Sequence, residues 1–136
     1  MKLVGMNYRN AWGKAVDDND ASVDRLLRQG ESPDSKLARL AFGSYKLECF
    51  LEGLCTKYAT AWLSLSPLEA GRLYLLNKHH WAPDTLKQVQ KSDFVALLHE
   101  ELIETPMTEA EFEPVKDWCA DLSCYPDLLA SANLPK

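Results

Sequence analysis

Leu47-Glu48-Cys49-Phe50-Leu51-Glu52-Gly53-Leu54-Cys55-Thr56-Lys57-Tyr58-Ala59-Thr60-Ala61-Trp62 is the stretch that decides the fold class. Leu47, Phe50, Leu51, Leu54, Cys55, Tyr58 and Trp62 recur at spacings of three and four residues. That period puts them on one face of an α-helix, since successive side chains step round the axis by 3.6 residues per turn. The apolar face runs for about four turns and predicts the central helix of the molecule.

Helical period and helix punctuation continue in both directions. Towards the N-terminus, Gly43-Ser44 predicts a break or kink, and Pro33 and Ser35 open a helix that carries Leu37, Leu40 and Ala41. Asp20 can cap a short helix with Val23, Leu26 and Leu27, which Gly30 ends, because glycine alone enters the left-handed conformation without strain. Tyr8, Ala11, Trp12 and Ala15 form one more helical face, and Leu3–Met6 can make a short strand.

Towards the C-terminus, Ser66-Pro67-Leu68-Glu69 has a capping serine, a proline suited to the first helical position and a glutamate that closes the box. The helix is expected to reach about Asn77, with a loop over Lys78-His79-His80-Trp81-Ala82-Pro83. A short helix near Thr85–Gln90 precedes one that Ser92 caps, whose face is Phe94, Leu97, Leu98 and Leu102 and which Thr105-Pro106 stops. Thr108 and Glu111 form a second capping box; Phe112, Val115, Cys119 and Leu122 line that helix, and Pro114 implies a kink or a late start. Tyr125-Pro126 opens a last short helix. No stretch alternates cleanly and no Asn-Gly or Asp-Gly hairpin turn occurs. The sequence therefore reads as an all-α single domain over residues 1–136, with six to eight helices, short loops and a frayed tail over 131–136.

The stretch Lys14-Ala15-Val16 … Val23-Asp24-Arg25-Leu26-Leu27-Arg28-Gln29-Gly30-Glu31-Ser32-Pro33-Asp34 resembles the second half of an ankyrin repeat. In that family a small-residue helix is followed by a helix ending in paired leucines, then glycine and a polar turn. Ala15, Val23, Leu26, Leu27, Gly30, Pro33 and Asp34 fit, while Asn10-Ala11-Trp12 stands where the family has its Thr-Pro-Leu-His opening. The resemblance covers about 20 residues and implies an ankyrin-like helical hairpin at the N-terminal end, and binding to proteins rather than catalysis.

A length of 136 residues suits one domain with one hydrophobic core. The apolar runs fall far short of the roughly 18 residues a membrane helix needs, and no secretory leader is visible behind Met1-Lys2. Cys49, Cys55, Cys119 and Cys124 sit inside helical patterns and read as buried reduced thiols of a cytoplasmic protein. Charge is distributed unevenly: residues 1–99 hold 13 Lys/Arg against 11 Asp/Glu, and residues 100–136 hold 2 against 9. The net +2 of the first part gives way to −7, which speaks against direct nucleic-acid binding and for a basic protein partner.

The acidic part has a pattern. Glu109, Glu113, Asp117 and Asp121 recur every four residues, which stacks them on one helical face about 6 Å apart. Each like-charged pair at that spacing costs roughly 0.2–0.5 kcal/mol. Glu100, Glu101 and Glu104 sit at the C-terminal end of their helix, where the dipole favours cations; Glu101 borders the apolar face of Phe94, Leu97 and Leu98. Acids placed against local preference mark a candidate site. Trp81 and His80 suit an anchor of an interface. The candidate partner-binding set is therefore Glu100, Glu101, Glu104, Glu109, Glu113, Asp117, Asp121, Trp81 and His80.

Two other classes compete. An enzyme or metal-dependent protein would use His79, His80 and His99, but the cysteine pairs Cys49/Cys55 and Cys119/Cys124 lack zinc-ligand spacing, and HExxH, phosphate-loop and dinucleotide glycine patterns are absent. A helix-turn-helix over Ala82–Ile103 would have to read DNA with a second helix, Asp93–Ile103, that has no Lys or Arg. The reading favoured by the charge pattern is a small acidic inhibitor or immunity-type protein that covers the basic surface of a partner, with no cofactor expected and a homodimer left open.

Overall fold

Among the residues described by the computed structural model, 7–135, the chain is all-α: it has nine α-helices, one 3₁₀ helix and no strand. The strand proposed for Leu3–Met6 lies outside the described residues. The helices are α1 (Tyr8–Asp20), α2 (Val23–Leu26), α3 (Pro33–Tyr58), α4 (Pro67–His79), α5 (Pro83–Lys87), α6 (Phe94–Leu97), α7 (His99–Glu104), α8 (Glu109–Cys119) and α9 (Tyr125–Ser131), with the 3₁₀ turn Lys91–Asp93 before α6. Contacts gather the chain into two units. Unit 1 holds the described residues up to Lys46 and those from Glu104 onward; unit 2 is Leu47–Ile103.

Capping signals translate directly into structure. Ser66 accepts from the Glu69 backbone N–H at 3.2 Å and Glu69 accepts from that of Ser66 at 3.1 Å. Thr108 and Glu111 do the same at 3.1 and 2.9 Å. Each box satisfies two backbone donors that a helix start leaves open. The Ser66 hydrogen bond holds the Glu69 carboxyl below its ordinary pKa.

Several expectations need correction. Asp20 does not cap the second helix: it is the last residue of α1, and Ser22 stands at the start of α2. Gly43-Ser44 makes no break: α3 is one helix of 26 residues. A helical glycine costs only about 1 kcal/mol, and the neighbouring Ala41, Phe42, Tyr45 and Leu47 are all buried. Trp62 does not extend the apolar face of α3, because the helix stops at Tyr58 and Trp62 is 84% exposed. A turn stands there instead: the Thr60 N–H donates to the Leu63 carbonyl at 3.0 Å, and the Leu63 N–H to the Thr60 hydroxyl at 3.0 Å. Lys78 and His79 belong to α4 rather than to a loop, and α4 ends one residue later at His80, in the left-handed conformation at φ 56°. The helix expected after Ser92 is in pieces, divided at Leu98, whose φ and ψ are −107° and 18°.

Pro114 sits inside α8 and is buried, so the helix starts at Glu109 and contains its proline. The tail expected to fray over 131–136 is docked as far as Ala132, since Ser131 still belongs to α9. The Lys46 ammonium donates to the Ser131 carbonyl at 2.7 Å, and the Met107 N–H donates to the fully buried Ala132 at 2.8 Å.

The core of unit 2 is Leu47, Leu51, Leu54, Ala70, Leu75, Leu86, Phe94, Leu98 and Leu102. In unit 1 the first half of α3 is the hub. Ser35 bonds Ser123 at 3.0 Å, Arg39 reaches Asp127 at 2.8 Å, Asn19 donates to Ser44 at 3.0 Å and the Tyr45 hydroxyl donates to the Glu111 carbonyl. Trp12 stands edge-on to Tyr45 and Trp118, with ring centroids 5.5 and 5.9 Å apart. All four cysteines are free thiols; burial pushes the Cys119 thiol up to about 12, so it stays protonated at neutral pH.

Two glycines should answer the same substitution with opposite signs. A Cβ on Gly71 would lie 2.9 Å from Leu51 Cδ2 and 3.2 Å from Phe94 Cζ. Both neighbours are fully buried and have little room to yield. Gly53, inside α3, has nothing within 4 Å. Gly71→Ala is expected to lower stability by about 1–2 kcal/mol, and Gly53→Ala to raise it by about 0.5–1 kcal/mol. Urea midpoints check both; a stabilised Gly71→Ala would mean that α4 does not pack this closely.

Candidate functional site: an acid-edged cleft in unit 1

The four-residue acidic repeat is exposed throughout. Glu109, Glu113 and Asp117 lie on α8, while Asp121 falls in the turn beyond its end. The three helical acids line one side of an open cleft of about 680 Å³. Phe112 and Ala110 from α8, Tyr125 and Leu129 from α9, and Leu134 beyond it supply the apolar lining. Lys116 is the one basic residue among the lining side chains. A volume of this size is in the range of roughly 300–1,000 Å³ typical of ligand clefts.

One cation from far along the chain already meets the acids. The Arg9 guanidinium, on α1, lies 2.7 Å from Asp117 and 3.6 Å from Glu113. The hydrogen bond and charge of Asp117 hold Arg9 above its usual pKa. Arg9 lines not the cleft but a smaller hollow of about 220 Å³, with Asn7, Tyr8 and Pro114; Ala110 and Glu113 border both. The pair is well exposed and so worth little stability.

The remaining candidates divide between the two units. Glu104 is exposed at the end of α7 and does not line the cleft. Glu100 is exposed in unit 2. Glu101 is engaged inside that unit: the Lys78 ammonium lies 2.8 and 3.0 Å from its two oxygens, and the Tyr74 hydroxyl also bonds it. Burial pushes the Glu101 pKa up, but these bonds outweigh it and the net shift is down. Lys78 is raised by the same bond. The Tyr74 phenol is raised first by burial and then by the Glu101 charge.

Trp81 is half-buried against the unit 2 core and stacks on His79, with centroids 4.5 Å apart. His80 is exposed, and its N–H closes α4 on the Leu76 carbonyl at 2.8 Å. His79 and His99 are exposed as well. Among the described residues no three His, Cys, Asp or Glu side chains are grouped to hold a metal ion, and no helix is long and apolar enough to cross a membrane.

Sequence reasoning missed Arg9, Phe112, Tyr125, Leu129 and Leu134. One signal was available: Leu128 and Leu129 are adjacent on a short helix, and neighbours on a helix cannot share a face. Leu128 is buried and Leu129 is 40% exposed. No protein-family model matches the chain, and neither the curated proteins nor the solved structures yield a match.

Glu101 gives a pH-dependent prediction. Its folded pKa lies below the unfolded value, so its contribution is present above the unfolded pKa and is lost as pH falls through the folded one. Glu101→Gln should cost about 1–2 kcal/mol at pH 7, and the gap from the parent protein should close at pH values below the ordinary carboxylate range. Denaturation at pH 7 and pH 3 measures this; a gap that is the same at both would mean that the charge is not what Lys78 and Tyr74 hold.

Proposed function

We propose that this chain is a protein-binding module whose acidic C-terminal face covers the basic surface of a partner. Inhibition follows when that surface is the substrate site of the partner, as it is in proteins that act on nucleic acid. This makes the chain an inhibitor or immunity-type protein, working where thiols stay reduced, as in the cytoplasm. The observation that carries the reading is the exposure of Glu109, Glu113, Asp117 and Asp121 together on one stretch of unit 1, three of them along an open cleft. Complementary charge raises the rate of encounter, and an apolar anchor slows escape.

A tagged pull-down from the native host, washed at low and at high salt, tests the reading. A basic protein retained at low salt and released at high salt supports it. With that partner in hand, Glu113→Lys with Asp117→Lys should slow association at least tenfold at low salt. Arg9→Ala should act the other way, since it removes the internal cation from the same two carboxylates and so speeds association severalfold. If both variants associate at the parent rate, the acids are a solvated surface and the reading fails.

A further inference from the structure

The proposed function names a basic surface; the cleft says what shape that surface takes. We infer that the cleft accepts one face of a basic amphipathic helix belonging to the partner protein, with an apolar side chain inserted between α8 and α9. This rests on the reading above and narrows it.

The lining has two chemically different parts. Phe112, Tyr125, Leu129 and Leu134 are apolar or aromatic, and Glu109, Glu113 and Asp117 follow one edge. Against those three acids stands Lys116 alone within the lining, so the rim is net negative. A ligand that only neutralised the rim would leave Leu129 wet, and a purely apolar ligand would bury carboxylates without partners. Both parts are matched by a segment with cations on one edge and a large apolar group beside them.

The spacing favours a helix. Glu109, Glu113 and Asp117 stand one helical turn apart, about 6 Å per step. Lys or Arg at i, i+4 and i+8 of a helix lying alongside repeats at the same interval, and large apolar residues at i+3 and i+7 then project from the adjoining face. A β-strand is one alternative geometry, but it binds by adding to a sheet edge, and the described residues contain no strand. Arg9 shows that the rim accepts the chemistry: its guanidinium reaches Asp117 at 2.7 Å with Glu113 close by. It does so from the neighbouring hollow and leaves the cleft open.

The test uses the full chain and two fluorescent 15-residue peptides of identical composition, Leu, Lys and one Trp. One is ordered as an amphipathic helix; in the other the order is scrambled so that no apolar face forms. Anisotropy titrations at low salt should show the amphipathic peptide binding at least tenfold more tightly. Leu129→Ser should weaken that peptide about fivefold and leave the scrambled one unchanged. Leu134→Ser, nearer the chain end, is the second variant if Leu129→Ser perturbs the circular dichroism spectrum. Equal affinity for both peptides, or no effect of either serine, would overturn the inference while leaving charge-driven capture standing. Failure of both peptides to bind at low salt would overturn the inference and the proposed function together.

Discussion

An ammonium group almost shut off from water holds the end of the last helix. Lys46 is 5% exposed, and its hydrogen bond goes to a carbonyl, that of Ser131, rather than to a carboxylate. Burial lowers its pKa, so the charged form is held against a desolvation cost. A cation on a C-terminal carbonyl also answers the negative end of the helix. The position of α9 follows from this bond, from the Met107–Ala132 bond, and from the Arg39–Asp127 and Ser35–Ser123 pairs. Tyr125, Leu129 and Leu134 line the cleft, so the shape of the site depends on polar bonds made by residues outside its lining.

The acidic part of the lining tolerates charge repulsion because the chain supplies a partial remedy. Three carboxylates one turn apart disfavour the helix by a few tenths of a kcal/mol per pair. Arg9 relieves the Glu113–Asp117 step, and the dipole at the start of α8 favours Glu109. What remains is a face that is negative without being destabilising. Glu101 shows the opposite treatment of the same residue type: half-buried and bonded by Lys78 and Tyr74, it has become part of the packing of unit 2.

How much could be read in advance depends on how far apart in sequence the interacting groups are. The two capping boxes and the opening of α9 at Tyr125-Pro126 involve neighbours three residues apart or fewer, and they were legible. So was the face Leu47–Tyr58, because packing and period agree there. Trp62 continued that period but not the helix, since a reciprocal Thr60–Leu63 turn competed and prevailed locally. Gly43 looked like a break because propensity is local, whereas the burial of Phe42 and Tyr45 that carries the helix through is tertiary. The acids of the site were visible as a repeat. Arg9, 108 residues from Asp117, and the lining supplied by α9 were not, because no local pattern states which helices become neighbours.

The division into units also has a consequence for the order in which the protein is made. Unit 2 is one uninterrupted segment, Leu47–Ile103, set between the two parts of unit 1. During synthesis it is complete while residues from Glu104 onward have yet to emerge. Trp12 and Tyr45, which end buried in unit 1 with Trp118 and the Glu111 carbonyl of α8 as neighbours, stay uncovered on that side until α8 arrives. Exposed surface of that kind is what chaperones bind and what aggregates. The last quarter of the chain, which carries the acidic face, is thus also what brings that vulnerable interval to an end.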